Sequence, residues 1–161
     1  MSASSTSAAS RPGDPSDVGH TAGRAAARLA RAIENALGEV ELSLPQYRML
    51  IFLSEVGSSA ATSMAGKLGV SRPSVTALVD GLVARDLAHR TADPVDRRRV
   101  AHTITAKGES ALVDADAAVA RRLEELATKI LEPHGADAAY AGLLHWVSAL
   151  NDEREAKLAD Q

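Results

Sequence analysis

Three consecutive arginines, Arg97, Arg98 and Arg99, lie in the stretch "DPVDRRRVAHTIT" between two segments that read as short β-strands. An arginine has a permanent positive charge and a planar fork of donors, which suits phosphate oxygens and base edges. Asp96 lies two residues before Arg98, on the same side of an extended segment, so its carboxylate can hold that guanidinium before a ligand arrives. This pattern predicts nucleic-acid contact at a hairpin tip. The alternative is a charged loop that only faces solvent.

A second polar group lies upstream, in "VSRPSVTALVDGLVARD". Ser71 can cap a helix there, since the apolar residues behind it recur at helical spacing. Arg72, Ser74 and Thr76 then lie at the helix N-terminus, where short hydroxyl side chains allow close approach to phosphates and base edges. Lys67, shortly before them, adds a cation. The alternative is a helical hairpin in which the serine and arginine only cap.

Other kinds of chemistry lack the residues that they need. The chain has no cysteine, which excludes disulfides, thiolate metal sites and cysteine nucleophiles. Its five histidines lack the spacing of a metal pair, and no serine has an evident base beside it, so we expect no catalysis, metal or cofactor.

His89 and His102 are expected to face each other approximately across the hairpin and could modulate its charge at low pH. The alternative for this pair is two exposed polar residues.

The charge of the 161-residue chain is unevenly distributed. Residues 60–110 carry eight Lys and Arg against five Asp and Glu, whereas residues 1–59 carry five against six and residues 111–161 carry five against ten. A basic middle between acidic flanks is typical of a nucleic-acid face, although a solvated surface can show it too. No signal-peptide core occurs, nor an apolar run of about 18 residues, so we expect a soluble cytoplasmic protein without membrane contact.

Periodicity and capping signals predict a mainly α-helical chain with one β-hairpin. Residues 1–17 are rich in Ser, Ala, Pro and Gly and predict a disordered tail. Ser43 and Gln46 have capping-box spacing at the start of a second helix. The predicted elements are helices over 18–37, 44–57, 59–68, the segment after Ser71, 106–131 and 137–157, and strands over 87–91 and 100–104.

The predicted elements follow in the order helix, short helix, turn, helix and hairpin. This order predicts a winged helix-turn-helix, in which the second helix of the pair enters the major groove. The hairpin, or wing, reaches the neighbouring minor groove. The stretch "MAGKLGVSRPSVTALVDGLVARDLAHRTADPVDRRRVAHTITAKG" resembles the winged-helix signature of the MarR family of transcriptional regulators. The resemblance lies in Ser71, Thr76, Leu82, Asp93-Pro94, Asp96-x-Arg98 and Thr105-x-x-Gly108. The flanking helices extend it from about residue 20 to residue 155.

The resemblance implies a homodimeric repressor that binds double-stranded DNA at a pseudo-palindromic operator. It implies an N-terminal dimerisation helix over 18–42, a DNA-binding lobe over 43–105 and C-terminal dimerisation helices over 106–161. Apolar stripes on the helices outside the lobe independently favour a partner helix. A monomer that folds these helices back on itself is the alternative.

The resemblance also implies roles for particular residues. Arg98 would enter the minor groove with Asp96 as its support, and the N-terminal residues of the recognition helix would contact the operator. A small anionic or aromatic effector would bind between the dimerisation helices and the lobe, where Tyr47 and Arg48 are candidate lining residues and buried packing is their alternative role.

The chain departs from the MarR pattern at two positions. Asp86 replaces the glycine that usually follows the recognition helix, and aspartate tolerates the left-handed conformation that this turn needs. Gly81 replaces a frequent Arg or Lys, which removes a candidate contact and gives the wing more weight.

The residues leave three other functions open. They are a protein-interaction module on the same frame, an enzyme that binds a small molecule, and a DNA-binding protein without sequence preference.

Overall fold

The computed structural model describes residues 15–92, 100–130 and 134–159. These residues form a mainly helical fold with a small antiparallel sheet of strand order β1-β3-β2, which confirms the predicted fold class. The elements are α1 (Pro15–Glu39), α2 (Leu44–Val56), β1 (Ser58–Ala60), α3 (Ala61–Leu68), α4 (Arg72–Ala84), β2 (Ala88–Ala92), β3 (Val100–Ile104), α5 (Ala106–Ala127) and α6 (Gly135–Ala159).

The chain divides into two compact units, the first ending at Val119 and the second beginning at Ala120. The first unit contains the helix-turn-helix, the sheet and the first part of α5. The second contains the end of α5 and all of α6. The functional division into dimerisation and DNA-binding parts stays a prediction. Within the part of the chain that the structure describes, none of the helices has the length and hydropathy of a membrane span.

Local capping signals begin three of the helices where the sequence predicts them. Ser43 and Gln46 form the complete capping box of α2, each accepting a hydrogen bond from the other's backbone N–H. The Ser71 hydroxyl caps α4 by accepting from the Ser74 backbone. The Thr105 hydroxyl accepts from the Gly108 backbone N–H at 3.0 Å and so caps α5. These caps satisfy backbone donors that have no partner within their own helix.

Helix ends differ from the predicted ones where local bonds extend or stop the helix. α1 begins at Pro15 rather than at residue 18, because proline is compatible with a first helical turn. The predicted tail is thus wrong for residues 15–17, and residues 1–14 lie outside the described residues.

α5 ends at Ala127 rather than at residue 131, because Lys129 and Ile130 donate to carbonyls only three residues back. α6 begins at Gly135, two residues before its predicted start.

Strand β1 corrects the prediction that a helix begins near Ser59. Gly57, with φ of 74°, turns the chain out of α2, and Ser58 to Ala60 then pair with β3. A three-residue strand has no measurable period, and its hydrogen bonds go to residues more than forty positions away, so local pattern does not reveal it.

The register of β2 on β3 also corrects the predicted pairing of two histidines. His89 pairs with Thr103, and Arg90 pairs with His102. A shift of one residue moves a side chain to the other face of a sheet, so the two histidines lie on opposite faces. His89 is exposed, whereas His102 is buried. Both the predicted facing pair and its alternative of two exposed residues are therefore wrong for His102.

The core of the first unit is aliphatic, as the scarcity of aromatic residues requires. It joins the end of α1 to α2, α3 and α4, and reaches β2, β3 and α5. Its fully buried large side chains are Leu37, Met49, Leu50, Leu53, Met64, Val75, Val79 and Leu82. The core therefore packs α4, the recognition helix, against the sheet. This packing sets the position of the recognition helix relative to the wing strands.

The turn after α4 is tied to the start of α5. Asp86 has φ of 61°, which confirms the left-handed turn predicted for it. The Thr105 hydroxyl donates to the Asp86 carbonyl at 2.7 Å, and Lys107 Nζ donates to the Arg85 carbonyl at 2.8 Å. These bonds satisfy carbonyls at the end of α4 and set the direction in which β2 leaves it.

Candidate nucleic-acid interface

The N-terminus of α4 is an exposed cluster of predicted contact residues. Ser71, Arg72, Ser74 and Thr76 are all exposed there. The hydroxyl oxygens of Ser71 and Ser74 lie 2.8 Å apart, and the Thr76 hydroxyl donates to the Arg72 carbonyl at 3.1 Å. These bonds within the helix hold the hydroxyls in fixed positions and leave the Arg72 side chain at the surface. The positive end of the α4 dipole and the Arg72 charge both attract phosphate.

Lys67 lies in the last turn of α3, just before the turn into α4. Gly69 ends α3 in the left-handed conformation, with φ of 66°. The Lys67 ammonium lies 5.7 Å from the centre of the Phe52 ring, which is within the range of a cation–π contact. The ring thus holds the lysine stem, while the residue remains exposed. Lys67 and Arg72 therefore place two cations close together in sequence around the α3–α4 turn.

The tip of the wing lies outside the described residues. Asp96, Arg97, Arg98 and Arg99 fall in the segment 93–99, so the predicted Asp96–Arg98 fork stays a prediction. The strands on either side are described, and their last pair is Ala92 with Val100. The tip segment thus connects the ends of two paired strands, as the hairpin prediction requires.

An ion pair between α4 and β2 is a feature that sequence analysis missed. Arg90 Nη2 donates to Asp80 Oδ1 at 2.5 Å, and about half of each side chain is exposed. Such an exposed pair contributes little to stability, but it fixes the direction of two side chains. Asp80 is a polar residue on the outer face of α4, which is the only signal that the sequence carries for it. The pair links the recognition helix to the first strand of the wing.

Two buried polar residues lie in the same row of the sheet as Arg90. Ser59 on β1 and His102 on β3 pair across the sheet and are 9% and 7% exposed. The pKa of His102 is lowered, chiefly because burial disfavours the charged ring and further because Arg90 is close. A hydrogen bond to the Ser59 backbone and the Asp80 charge oppose this shift. Of the described buried side chains, only His102 has a nitrogen or oxygen atom, Nδ1, without a hydrogen-bond partner.

Tyr47 and Arg48, the candidate effector-binding residues, both hold contacts within the first unit. The Tyr47 hydroxyl donates to Asp116 of α5, and burial followed by that carboxylate raises the tyrosine pKa. Arg48 donates to the Leu68 carbonyl at 3.3 Å and borders a cavity of about 20 Å³. That cavity is far smaller than an ordinary ligand site of roughly 300 Å³ or more. Effector binding at these residues stays a prediction.

Two sequence comparisons connect this arrangement with known proteins. Residues 42–100 match the model of the MarR family. The HTH-type transcriptional repressor NicR of Pseudomonas putida is 30% identical over 109 residues, which cover 68% of this chain and 68% of NicR.

Solved structures give the same result over most of the chain. The transcriptional repressor CouR, bound to a 23-mer DNA duplex, superposes with a TM-score of 0.72 at 30% identity and covers 89% of this chain and 99% of its own. CouR from Rhodococcus jostii RHA1, bound to p-coumaroyl-CoA, superposes with a TM-score of 0.63 at 25% identity and covers 81% and 91%. A repressor named CouR has thus been solved with a DNA duplex, and CouR from Rhodococcus jostii RHA1 has been solved with a small molecule.

Proposed function

The chain belongs to the MarR family, and we propose from this premise that it is a sequence-specific transcriptional repressor that binds DNA as a homodimer. The observation that carries the proposal is the exposed N-terminus of α4, where Arg72, Ser74 and Thr76 lie on a helix fixed by the core beside a two-stranded wing. The likeness to CouR in its complex with a duplex supports this arrangement as a DNA-binding one.

We assign separate tasks to the two parts of the interface. The first turns of α4 enter the major groove, where Arg72 reaches base edges or phosphates and the hydroxyls of Ser74 and Thr76 contact the backbone. Ser71 caps the helix terminus that faces the phosphate.

The wing contacts the minor groove. Arg98 enters this groove with Asp96 behind it. Lys67, Arg97 and Arg99 supply attraction that does not depend on sequence.

The exposed apolar face of α6 supports the homodimer. Large apolar side chains are exposed on this helix at Leu143, Leu144, Trp146, Val147 and Leu150. A stripe of this kind on a helix of a soluble fold marks an interaction site. We assign the stripe to a second copy of the chain, because a palindromic operator requires two-fold symmetry of its reader.

Changing Leu144 to Glu should weaken the dimer, since Leu144 is 69% exposed in the single chain and would carry a charge into the assembled face. We expect sedimentation equilibrium to show a dissociation constant raised by about tenfold or more. Glu155→Gln, at an exposed polar position on the same helix, is the control. A wild-type chain that sediments as a monomer at every concentration would contradict the homodimer.

A small-molecule effector completes the proposal. CouR has been solved with p-coumaroyl-CoA, an aromatic and anionic ligand, and this supports an effector of the same general chemistry for this chain. Such a ligand would release the operator only if it bound the DNA-free conformation more tightly than the DNA-bound one. We retain Tyr47 and Arg48 as candidate lining residues, to be freed from their present contacts when the effector binds.

The family is a class of transcriptional regulators, and we propose no catalytic activity for this member. We place it in the cytoplasm, where its DNA would lie. The alternative function is a protein-interaction module that meets an acidic protein surface with the same face. That alternative predicts no uptake of a duplex at low salt.

The salt dependence of binding tests DNA contact directly. We expect the affinity for duplex DNA, measured by fluorescence anisotropy, to fall at least tenfold from about 50 to about 200 mM salt, because phosphate contacts release counterions. Arg72→Ala should lower the affinity, since one cation that contacts phosphate is lost. It should also lower the slope of the logarithm of affinity against the logarithm of salt concentration. Arg24→Ala, an exposed arginine on α1, is the matched control and should leave the slope unchanged. A salt-independent affinity would refute phosphate contact and favour the interaction module.

A further inference from the structure

Four residues, one on the recognition helix and one on each strand of the sheet, lie along a single line of pairings. Asp80 lies on α4, Ser59 on β1, Arg90 on β2 and His102 on β3. His102 pairs with Ser59 on one side and with Arg90 on the other, and Arg90 donates to Asp80. We call this set of four residues the wing joint. Through two register pairs and one ion pair, the wing joint extends from α4 across the sheet.

The centre of the wing joint is a buried ring with an unpartnered nitrogen. His102 is 93% buried, its ring hydrogen-bonds to the Ser59 backbone, and Nδ1 has no partner. In the neutral ring such a nitrogen is a bare acceptor. In the protonated ring it carries an N–H that has no acceptor at this buried position. The wing joint as built therefore favours the neutral ring.

The two charges that act on the His102 ring, those of Arg90 and Asp80, oppose each other. Arg90 on β2 lowers its pKa, while Asp80 on α4 raises it and is already paired with Arg90. β1 contributes Ser59, which does not titrate in this range. α2 and α3, which also pack against β3, carry Arg48, Glu55 and Lys67 at exposed positions. The net direction is a lowered pKa, with burial as the largest cause.

We propose that the wing joint makes operator binding sensitive to protons: with His102 neutral, Arg90 and Asp80 hold the wing against the recognition helix, and a proton on His102 loosens this link and weakens binding. The inference rests on the proposed function, since it concerns the same DNA-binding face. It assigns Asp80, Arg90 and His102 as positioning residues, none of which is required to touch DNA.

The sign of the effect follows from the direction of the pKa shift. The ordinary histidine pKa is 6.5, and that of His102 is lower in the folded chain. The unfolded or loosened chain therefore takes up the proton first as the pH falls below 6.5. The stability that the neutral ring contributes is fully present above that pH and is lost as the pH falls through the folded-state pKa. Acid should thus weaken the wing before it unfolds the core.

A comparison of variants across pH tests the proposal. Anisotropy titrations with the selected operator duplex at constant ionic strength would run from about pH 8 to about pH 5. We expect wild-type affinity to fall roughly tenfold relative to His102→Gln over this range, an ordinary size for coupling between two sites. His89→Gln is the matched control, because His89 is exposed on the opposite face of the same hairpin, and it should follow the wild type. Parallel profiles of wild type and His102→Gln would overturn the proposal.

A second measurement needs neither a variant nor DNA. The NMR titration of the free wild-type chain follows the His102 ring and the backbone amides of β2 and α4 together. We expect the amides of Arg90 and Asp80 to shift with the same midpoint as the ring. Amides that stay constant while the ring titrates would overturn the proposal. If the chain binds no duplex at any pH while these amides follow the ring, the wing joint stands and the proposed function fails.

Discussion

Replacing Gly108 with alanine should cost the fold about 3 kcal/mol or more, which lowers the unfolding midpoint by about 10 °C. Gly108 lies in the first turn of α5, where the helix passes close to the start of β2. A Cβ built on it would lie 2.0 Å from the Leu87 carbonyl oxygen and 2.8 Å from Ile104 Cγ1. The carbonyl cannot move aside, because it accepts a hydrogen bond from the Thr105 backbone. The added methyl group must therefore displace α5 from the lobe.

A second glycine-to-alanine change separates this clash from the general effect of the substitution. Gly66 lies within α3 and has no heavy atom within 4 Å of its would-be Cβ. Gly66→Ala should stabilise the chain by about 0.5 to 1 kcal/mol, because alanine is the better helix former. Thermal unfolding followed by circular dichroism compares the two variants with the wild type. Equal midpoints for Gly108→Ala and wild type would show that α5 does not begin against Leu87.

Replacing Arg98 with alanine should weaken operator binding by about 1 to 3 kcal/mol, or roughly 5- to 160-fold. The reason is the loss of the guanidinium that we propose enters the minor groove, where the negative potential is concentrated. Binding to an unrelated duplex should weaken much less, since Arg97 and Arg99 still attract phosphates. A gel-shift titration with both duplexes measures the difference.

Arg98→Lys is the informative companion to this variant. It keeps the charge but loses the planar fork that Asp96 can hold, so it should recover only part of the lost affinity. Asp96→Ala should give an intermediate loss, because the arginine remains but is no longer fixed in advance. Unchanged operator affinity in Arg98→Ala would remove the wing from the interface and leave recognition to α4 alone.

The parts of the fold that local chemistry specifies could be predicted from the sequence. The caps at Ser43, Ser71 and Thr105 each depend on residues within one turn, and all three are confirmed. The left-handed Asp86 was predictable from the resemblance to the MarR family, in which a glycine usually stands at this turn. The apolar residues of α4 recur at helical spacing, and Val75, Val79 and Leu82 among them are buried. Helix order and hairpin position followed from these signals, and they were enough to indicate the fold class.

What depended on pairing between distant segments could not be predicted in this way. β1 is visible only through its bonds to β3. The position of His102 depends on the pairing register of β2 and β3, which the sequence of the hairpin does not specify. The Asp80–Arg90 pair joins two elements across a turn, and neither residue has a local signal for the other. The residues predicted to contact DNA at the N-terminus of α4 are exposed and stay a prediction, whereas the ion pair between α4 and β2 was visible only in three dimensions.

The measurement that tests the central claim most directly is the stoichiometry and selectivity of the DNA complex. A duplex would be selected from genomic fragments, labelled, and competed against an unrelated duplex at physiological salt, with the mass of the complex measured by sedimentation. We predict two chains on one duplex and at least about a thousandfold preference for the selected sequence. Equal competition by both duplexes would contradict sequence-specific recognition, and a single chain on the duplex would contradict its two-fold symmetry.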